Sequence, residues 1–199
     1  MNVPGRALDR EAALAALDKG EVVGIPTDTV YGLAARVDRP DAIAEIFELK
    51  GRPDDLALPV LIGRWREVHL VAAKWPRNAS MVAARFWPGP LTVVVPARPE
   101  VGELLGGDRR TVGVRQPHHR LVRSLCRDAG PLAVTSANPH GQPPCTSAGQ
   151  VAQAFPSIGV VDGGDCDGVP STVVDCTVSP PTCLREGGVL WPWVEAALR

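Results

Sequence analysis

The stretch Pro131-Leu-Ala-Val-Thr-Ser-Ala-Asn-Pro139 is an apolar run that ends in small hydrogen-bonding side chains and a proline. This pattern predicts a buried strand over 132–136 that opens into a loop. Pro139 biases Asn138 toward an extended backbone, and residues two apart in an extended segment share a face. Ser136 and Asn138 are therefore expected to present a hydroxyl and an amide to one ligand. Capping of a neighbouring turn is the alternative for the same two side chains.

A basic pair follows the segment 41–50. That segment has apolar residues at helical spacing and runs into Gly51-Arg52-Pro53, which stops a helix. Lys50 and Arg52 therefore leave one helix end together. An ammonium and a planar guanidinium at such a place suit a polyanion such as a triphosphate, or a carboxylate. An ordinary solvated basic end that favours the helix dipole is the alternative.

Hydrogen-bonding side chains are concentrated in Gly24-Ile-Pro-Thr-Asp-Thr-Val-Tyr-Gly-Leu33. Glycine and proline in this stretch predict the end of a strand and then a loop. Within the loop, Thr27, Asp28, Thr29 and Tyr31 stand close together in sequence, and Tyr31 is the only tyrosine of the chain. The loop is therefore a candidate polar wall of a binding site.

The remaining pattern predicts a mixed α/β order. Helices are expected near 9–19, 40–50, 65–73, 78–86, 118–129, 146–154 and 191–198, and strands near 21–25, 58–62, 91–96, 111–116, 132–136, 159–162, 171–175 and 183–186. The strands 91–96 and 111–116, and then the last three, follow one another without a helix between them. This order favours a single mixed sheet with helices packed on it over a doubly wound parallel sheet. One domain over residues 1–199 is expected.

Composition and charge narrow the functional class. The net charge of −1 lacks the positive excess of a broad nucleic-acid-binding face. Arg120, Arg123 and Arg127 are spaced for one helix face, which leaves both a solvated surface and a weak RNA contact open. The five cysteines form no C-x-x-C pair, so reduced thiols are expected, and neither a disulfide framework nor a metal site. No apolar run approaches the roughly 20 residues that span a bilayer, and no signal peptide is seen, so a cytoplasmic protein without membrane contact is expected.

These segments, in their order along the chain, resemble the YrdC-type threonylcarbamoyl-AMP synthases. The blocks that complete the resemblance are Phe86-Trp-Pro-Gly-Pro-Leu-Thr-Val-Val-Val95, Val112-Gly-Val-Arg-Gln-Pro117, Pro170-Ser-Thr-Val-Val-Asp175 and Leu184-Arg-Glu-Gly187. The resemblance spans residues 20 to 188, nearly the whole chain. It implies an α/β fold in which a single twisted mixed sheet with flanking helices curves around a deep cavity.

The resemblance also implies an activity, the ATP-dependent formation of an adenylate. L-threonine and bicarbonate or CO₂ give N-carboxythreonine, whose carboxylate attacks the α-phosphate of ATP, releases pyrophosphate and leaves threonylcarbamoyl-AMP. Mg²⁺ enters with the nucleotide, and a downstream tRNA threonylcarbamoyl transferase complex modifies the adenosine beside the anticodon. Because an anion attacks a polyanion, preorganised cations are the expected means of catalysis.

Roles are implied for the residues that match the family's motifs. The catalytic and phosphate-binding set is Lys50, Arg52, Ser136 and Asn138. The threonine-binding set is Thr27, Tyr31 and Arg115, and a further nucleotide-binding pair is Ser171 and Arg185. Arg115 would clamp the threonine carboxylate with its fork of donors. A dedicated general base is not expected, because the carbamate attacks already ionised.

One segment departs from the family's pattern, and two other functions stay open. The family commonly has a lysine or histidine before a Pro-Leu pair, whereas this chain has Leu58 there, so a basic side chain that could touch threonine is expected to be missing. Longer members have a second C-terminal domain, for which no room is expected before Arg199. The alternatives are a carbamoyl-transfer enzyme that uses carbamoyl phosphate, and an RNA-binding or ribosome-assembly protein of the same fold.

Overall fold

The computed structural model describes residues 6–51, 56–139 and 141–199. Ten strands of the described chain join in one mixed sheet, in the order β1-β8-β2-β3-β7-β4-β6-β5-β9-β10. Four strand pairs are parallel (β1/β8, β2/β8, β4/β6 and β5/β9) and the other five are antiparallel, so the predicted mixed sheet is confirmed. The strands are β1 (Ala7–Leu8), β2 (Val23–Ile25), β3 (Gly32–Arg36), β4 (Val60–Leu61), β5 (Leu91–Pro96), β6 (Thr111–Arg115), β7 (Leu132–Ser136), β8 (Gly159–Val161), β9 (Thr172–Asp175) and β10 (Thr182–Arg185).

Seven α-helices and one 3₁₀ helix flank the sheet in the part that the structure describes. The α-helices are α1 (Arg10–Lys19), α2 (Pro40–Lys50), α3 (Arg77–Phe86), α4 (Pro99–Leu105), α5 (Arg120–Ala129), α6 (Ala148–Ala154) and α7 (Trp191–Ala197). Helix α1 begins where the Asp9 side chain accepts a hydrogen bond from the Ala12 amide, and α2 ends at Gly51 in the left-handed conformation. None of the described helices is long and apolar enough to cross a membrane.

Four features of the element order differ from the sequence prediction, and the first is strand β1, where no strand was predicted. No strand is predicted over β3, whose first two residues fall in the predicted loop stretch 24–33 and whose residues Gly-Leu-Ala-Ala-Arg have low intrinsic strand preference. Helix α4 interrupts the expected direct passage from β5 to β6, and it begins at Pro99, which suits the first position of a helix. The helix expected over 65–73 is the 3₁₀ helix Trp65–Leu70.

Glycine at position 32 allows β3 to lie between β2 and β7. A Cβ atom at Gly32 would stand 2.5 Å from Val134 Cγ1 and 3.1 Å from the carbonyl oxygen of Thr135. Any side chain would therefore push β3 away from β7. The loop 27–31 is consequently held against the end of β7.

Alternate residues of the strands pack into two separate cores. Leu33, Val93 and Val114 belong to one cluster, and Ala34 and Val134 belong to the other, with α1 and α5. Because successive strand residues point to opposite faces, these clusters are the two sides of the sheet. On the face covered by α1 and α5, the inward residues of β5, β6 and β9 line a cavity.

Candidate active site

The cavity has a volume of about 540 Å³ and mixes polar with apolar side chains. Its floor is made by every second residue of β5 and β6, and its walls come from the loop before β3, the segment before β4 and the segment before β9. This volume lies in the range of small-molecule sites. The polar lining residues are Thr27, Thr29, Tyr31, Thr92, Asp108, Thr111, Arg115, Thr135, Ser136, Ser171 and Arg185.

Arg115, the last residue of β6, is buried and held from two sides. Its Nε donates to the carbonyl oxygen of Gly89 at 3.1 Å. Its Nη1 donates to Thr29 Oγ1 at 3.0 Å, and its Nη2 donates to Asp28 Oδ1 at 2.6 Å. A guanidinium has five N–H groups, and these contacts use three of them. The plane of the fork is thus set before any ligand binds.

The hydroxyl groups of the loop 27–31 form a chain that ends at Arg115. Thr27 Oγ1 donates to the carbonyl oxygen of Val30 at 2.7 Å and lies 2.8 Å from Thr29 Oγ1. Because the Thr27 proton is used in that bond, the Thr29 hydroxyl donates to Thr27 and accepts from Arg115. Thr27 also accepts from the amides of Thr29 and Val30. Thr27 therefore lines the cavity with a hydroxyl that already orders the loop.

Tyr31 ties the same loop to the segment 163–164. Its hydroxyl donates to the carbonyl oxygen of Gly164 at 2.9 Å and accepts from the amide of Gly163 at 3.1 Å. Burial raises the pKa of Tyr31 above its ordinary value, so the phenol stays protonated at neutral pH. The structure thus brings Thr27, Tyr31 and Arg115, to which the resemblance gives threonine-binding roles, to one cavity.

Ser171 and Arg185 face the cavity from the β9–β10 end of the sheet. Ser171 Oγ lies 2.9 Å from Thr92 Oγ1, and Arg185 Nη2 donates to the carbonyl oxygen of Ser171 at 2.8 Å. Burial, and then the nearby charge of Arg115, lower the pKa of Arg185 from its ordinary value. Two guanidinium groups that repel each other across one cavity favour a bound anion, because an anion relieves the repulsion.

Lys50 joins the end of α2 to the end of β7. Its ammonium donates to the carbonyl oxygens of Ser136 and Asn138, both at 2.6 Å, and lies 3.4 Å from Asn138 Oδ1. Ser136 itself lines the cavity. The structure therefore places Lys50 beside Ser136, on the backbone that supports the cavity wall.

Asn138 does not present its amide to the cavity. Its Nδ2 donates to the carbonyl oxygens of Pro139 at 3.0 Å and Gln142 at 2.6 Å, so the side chain closes the turn after β7. The structure favours the turn-capping alternative for Asn138 over the expectation that Ser136 and Asn138 face one ligand. Arg52, the other half of the predicted basic pair, lies outside the described residues.

The expectation that position 58 is the place from which a basic side chain could touch threonine is wrong. Its side chain is fully buried in the hydrophobic core, and its amide donates to the carbonyl oxygen of Leu105 at 2.8 Å. The cavity is lined instead by Leu56, Ala57 and Pro59. A basic side chain at position 58 would enter the core and could not touch a substrate in the cavity.

Four polar lining residues were not predicted from the sequence, namely Thr92, Asp108, Thr111 and Thr135. Thr92 is the only hydroxyl residue in the otherwise apolar strand Leu91–Pro96, and that exception is a usable signal. Asp108 lies in a turn after α4, where Arg110 Nε donates to it at 2.9 Å, and nothing in the local sequence connects it with the cavity. Among the described residues, no group of three or more His, Cys, Asp or Glu side chains is arranged to hold a metal ion.

Comparison with known proteins identifies the family. The family model Sua5_yciO_yrdC, described as "Telomere recombination", matches residues 15–187. The threonylcarbamoyl-AMP synthase of Pyrococcus abyssi (strain GE5 / Orsay) is 40% identical over 206 residues, which cover 100% of this chain and 60% of the relative. The Bacillus subtilis (strain 168) threonylcarbamoyl-AMP synthase is 39% identical over 191 residues, covering 94% of this chain and 55% of the relative.

The solved structures agree with the sequence comparison. The crystal structure of P. abyssi Sua5 complexed with L-threonine superposes with a TM-score of 0.89 at 38% identity, covering 96% of this chain and 58% of that one. The chain belongs to the Sua5/YciO/YrdC family. It spans somewhat more than half of the length of these two curated relatives.

Proposed function

We propose that this chain makes threonylcarbamoyl-AMP from L-threonine, bicarbonate or CO₂ and ATP, with release of pyrophosphate. The observation that carries the proposal is the cavity in which the fixed fork of Arg115 and the second guanidinium of Arg185 face one space. The names of the curated relatives and the L-threonine complex of P. abyssi Sua5 support the choice of substrate.

The threonine subsite is proposed at Arg115. A carboxylate binds a guanidinium through two parallel hydrogen bonds when the plane of the fork is set in advance. Thr29 and Asp28 set that plane, and Thr27 and Tyr31 close the wall beside it. The guanidinium would thus be oriented before the carboxylate binds, so that binding would lose little further conformational entropy of the site.

The nucleotide subsite is proposed between Arg185 with Ser171 and the end of β7. Ser136 contributes a hydroxyl there, Lys50 supports the strand end, and Arg52 is proposed to reach the phosphates from the helix end. Asn138 acts in this proposal by holding the turn that supports Ser136. Negative charge that moves onto the departing pyrophosphate would meet cations held in place by the fold.

The proposed reaction proceeds without a protein base at the adenylation step. The threonine nitrogen and bicarbonate form a carbamate and water, the carbamate oxygen bonds to the α-phosphorus, and the bond from that phosphorus to pyrophosphate breaks. Mg²⁺ would enter with the nucleotide. Asp108, a carboxylate that lines the cavity, is already paired with Arg110 and so is not available as a ligand of the ion. When bound, the ion would neutralise charge on the phosphates.

The wider setting is also a proposal. The product would pass to a tRNA threonylcarbamoyl transferase complex in the cytoplasm, where tRNA, ATP and threonine meet. Arg120 and Arg127 are exposed on α5, and Arg123 is half-buried and donates to the carbonyl oxygen of Pro117 at 2.8 Å. A weak RNA contact at this face stays a prediction.

The test is pyrophosphate release measured in CO₂-depleted buffer, with threonine and bicarbonate added separately and together. Release that requires both is the expected result. Dependence on carbamoyl phosphate would instead identify a carbamoyl-transfer enzyme. No release under any of these conditions would favour the RNA-binding alternative.

A further inference from the structure

We propose that Asp28 is a positioning residue that holds the guanidinium of Arg115, through one hydrogen bond, in the orientation that receives the substrate carboxylate. The proposal rests on the proposed function in one respect only, which is the assignment of the threonine carboxylate to Arg115. It gives a role to a residue of the loop 27–31 that does not itself line the cavity.

The pair of Asp28 and Arg115 differs from the other described ion pairs in its burial. Arg115 Nη2 and Asp28 Oδ1 are 2.6 Å apart, and the two side chains are only 7% and 13% exposed. In each of the other described pairs at least one partner is 43% exposed or more. Exposed pairs contribute little, whereas a charge-assisted hydrogen bond shielded from water strongly favours one geometry.

The carboxylate of Asp28 acts on the half-buried His119 through its charge, but no hydrogen bond joins the two side chains in the described chain. Its one hydrogen bond within the described chain is the bond to Arg115, and Oδ2 is buried without a partner there. A buried oxygen left unpaired costs roughly 1–3 kcal/mol, so a purely structural role does not account for a carboxylate here. A role exercised through Arg115 does account for it.

The other contacts of Arg115 explain why the Asp28 bond sets the orientation. Gly89 accepts from Nε, at the base of the guanidinium, and Thr29 accepts from Nη1. The bond from Asp28 to Nη2 holds the remaining corner of the plane. Without it, only the bonds at Nε and Nη1 would hold the guanidinium, which could then tilt away from a carboxylate in the cavity.

The charge of Asp28 makes a second, smaller contribution, apart from the hydrogen bond that orients Arg115. Burial, and then the repulsion by Arg115 across the cavity, lower the pKa of Arg185. The negative charge of Asp28 beside Arg115 offsets part of this repulsion from outside the cavity lining. The cavity can thus hold two guanidinium groups and still present both to an anion.

The experiment compares Asp28→Ala with Asp28→Asn in the full chain, with Asp38→Ala as a matched control on an exposed ion pair. Asp28→Ala is expected to raise the KM for threonine at least about tenfold, with kcat and the KM for ATP within about threefold of wild type. Asp28→Asn keeps an oxygen acceptor at the same place and should restore most of the lost affinity. Asp38→Ala should match wild type in all three constants.

Equilibrium binding of L-threonine and of L-threoninol, which lacks the carboxylate, provides a readout separate from turnover. Wild type should prefer threonine, and Asp28→Ala should lose most of that preference. An unchanged preference in Asp28→Ala overturns the proposal, and so does an equal rise of the threonine and ATP constants together with a lower Tm. Asp28→Asn as impaired as Asp28→Ala also overturns it, because charge and not the hydrogen bond would then matter.

Failure of the proposed function gives a different pattern. Wild type that binds threonine but releases no pyrophosphate refutes the function, while the two variants still test Asp28 through binding. Wild type that fails to bind threonine refutes both, since Arg115 would then have no substrate carboxylate to receive.

Discussion

Replacing Arg115 by lysine tests how the cavity is divided between its substrates. Lysine keeps the positive charge but cannot form two parallel hydrogen bonds with a carboxylate. The loss of one charge-assisted bond is worth roughly 1.5–3 kcal/mol, which corresponds to a threonine affinity about tenfold to 150-fold weaker. Because the side chains that hold Arg115, Asp28 and Thr29, belong to the loop 27–31 beside the proposed threonine subsite, the affinity for ATP should change less than about threefold.

The assay is pyrophosphate release, with threonine varied at saturating ATP and ATP varied at saturating threonine. Arg6→Lys is the control, since Arg6 forms an exposed pair with Glu21. The Tm of each variant separates weaker binding from loss of fold. Arg115→Lys that shifts the ATP constant and spares threonine would refute the reasoning, because Arg115 would then belong to the nucleotide subsite.

Three further predictions concern residues that support the cavity. Lys50→Met is expected to lower turnover by roughly tenfold to a hundredfold and to lower Tm, because the carbonyl oxygens of Ser136 and Asn138 lose a donor. If the variant turns over at the wild-type rate at temperatures well below its Tm, Lys50 does not belong to the catalytic set. Leu58→Lys should destabilise the fold by at least about 3 kcal/mol and lower Tm by roughly 6–12 °C, because Leu58 is buried in the core. Leu56→Lys, at an exposed residue of the cavity lining, is the control and should change Tm little. Equal thermal unfolding curves for the two variants would contradict this prediction. Burial lowers the pKa of His119 below its ordinary value of 6.5. As pH falls through 6.5, the unfolded chain therefore takes up a proton that the folded chain resists, and the free energy of unfolding decreases. His119→Gln should flatten this dependence of the free energy of unfolding on pH, measured by urea unfolding between pH 5.5 and 7.5.

Strands of alternating or apolar character could be predicted from the sequence, and strands built from small residues could not. The runs Leu91–Pro96 and Leu132–Ser136 consist mainly of valine, leucine and alanine next to prolines that mark their ends. Strand β3 has glycine and two alanines, and it is a strand because its neighbours on both sides supply hydrogen-bond partners. Tertiary context therefore overrides local preference in the strand next to the site.

Side-chain direction explains the error at position 58. Residues 57–59 lead into β4, and their side chains alternate as in an extended segment: Ala57 and Pro59 line the cavity, and Leu58 between them does not. A motif compared by spacing alone can therefore be placed with the wrong side chain toward the cavity. Ala57 lines the cavity, and Leu58 is fully buried in the core behind it.

The neighbours of Arg115 show why the hydrogen bonds of the site could not be predicted from the sequence. The resemblance placed Thr27 and Tyr31 beside Arg115, and the structure brings all three to one cavity. Their hydroxyls, however, bond to backbone groups of their own wall, while Thr29 and Asp28 reach the guanidinium across 86 and 87 residues of chain. Periodicity relates residues only a few positions apart, so contacts across such separations depend on how β6 and the loop before β3 are placed in the sheet. A motif thus predicts which segments meet, and the hydrogen bonds between them decide which side chains remain to bind a substrate.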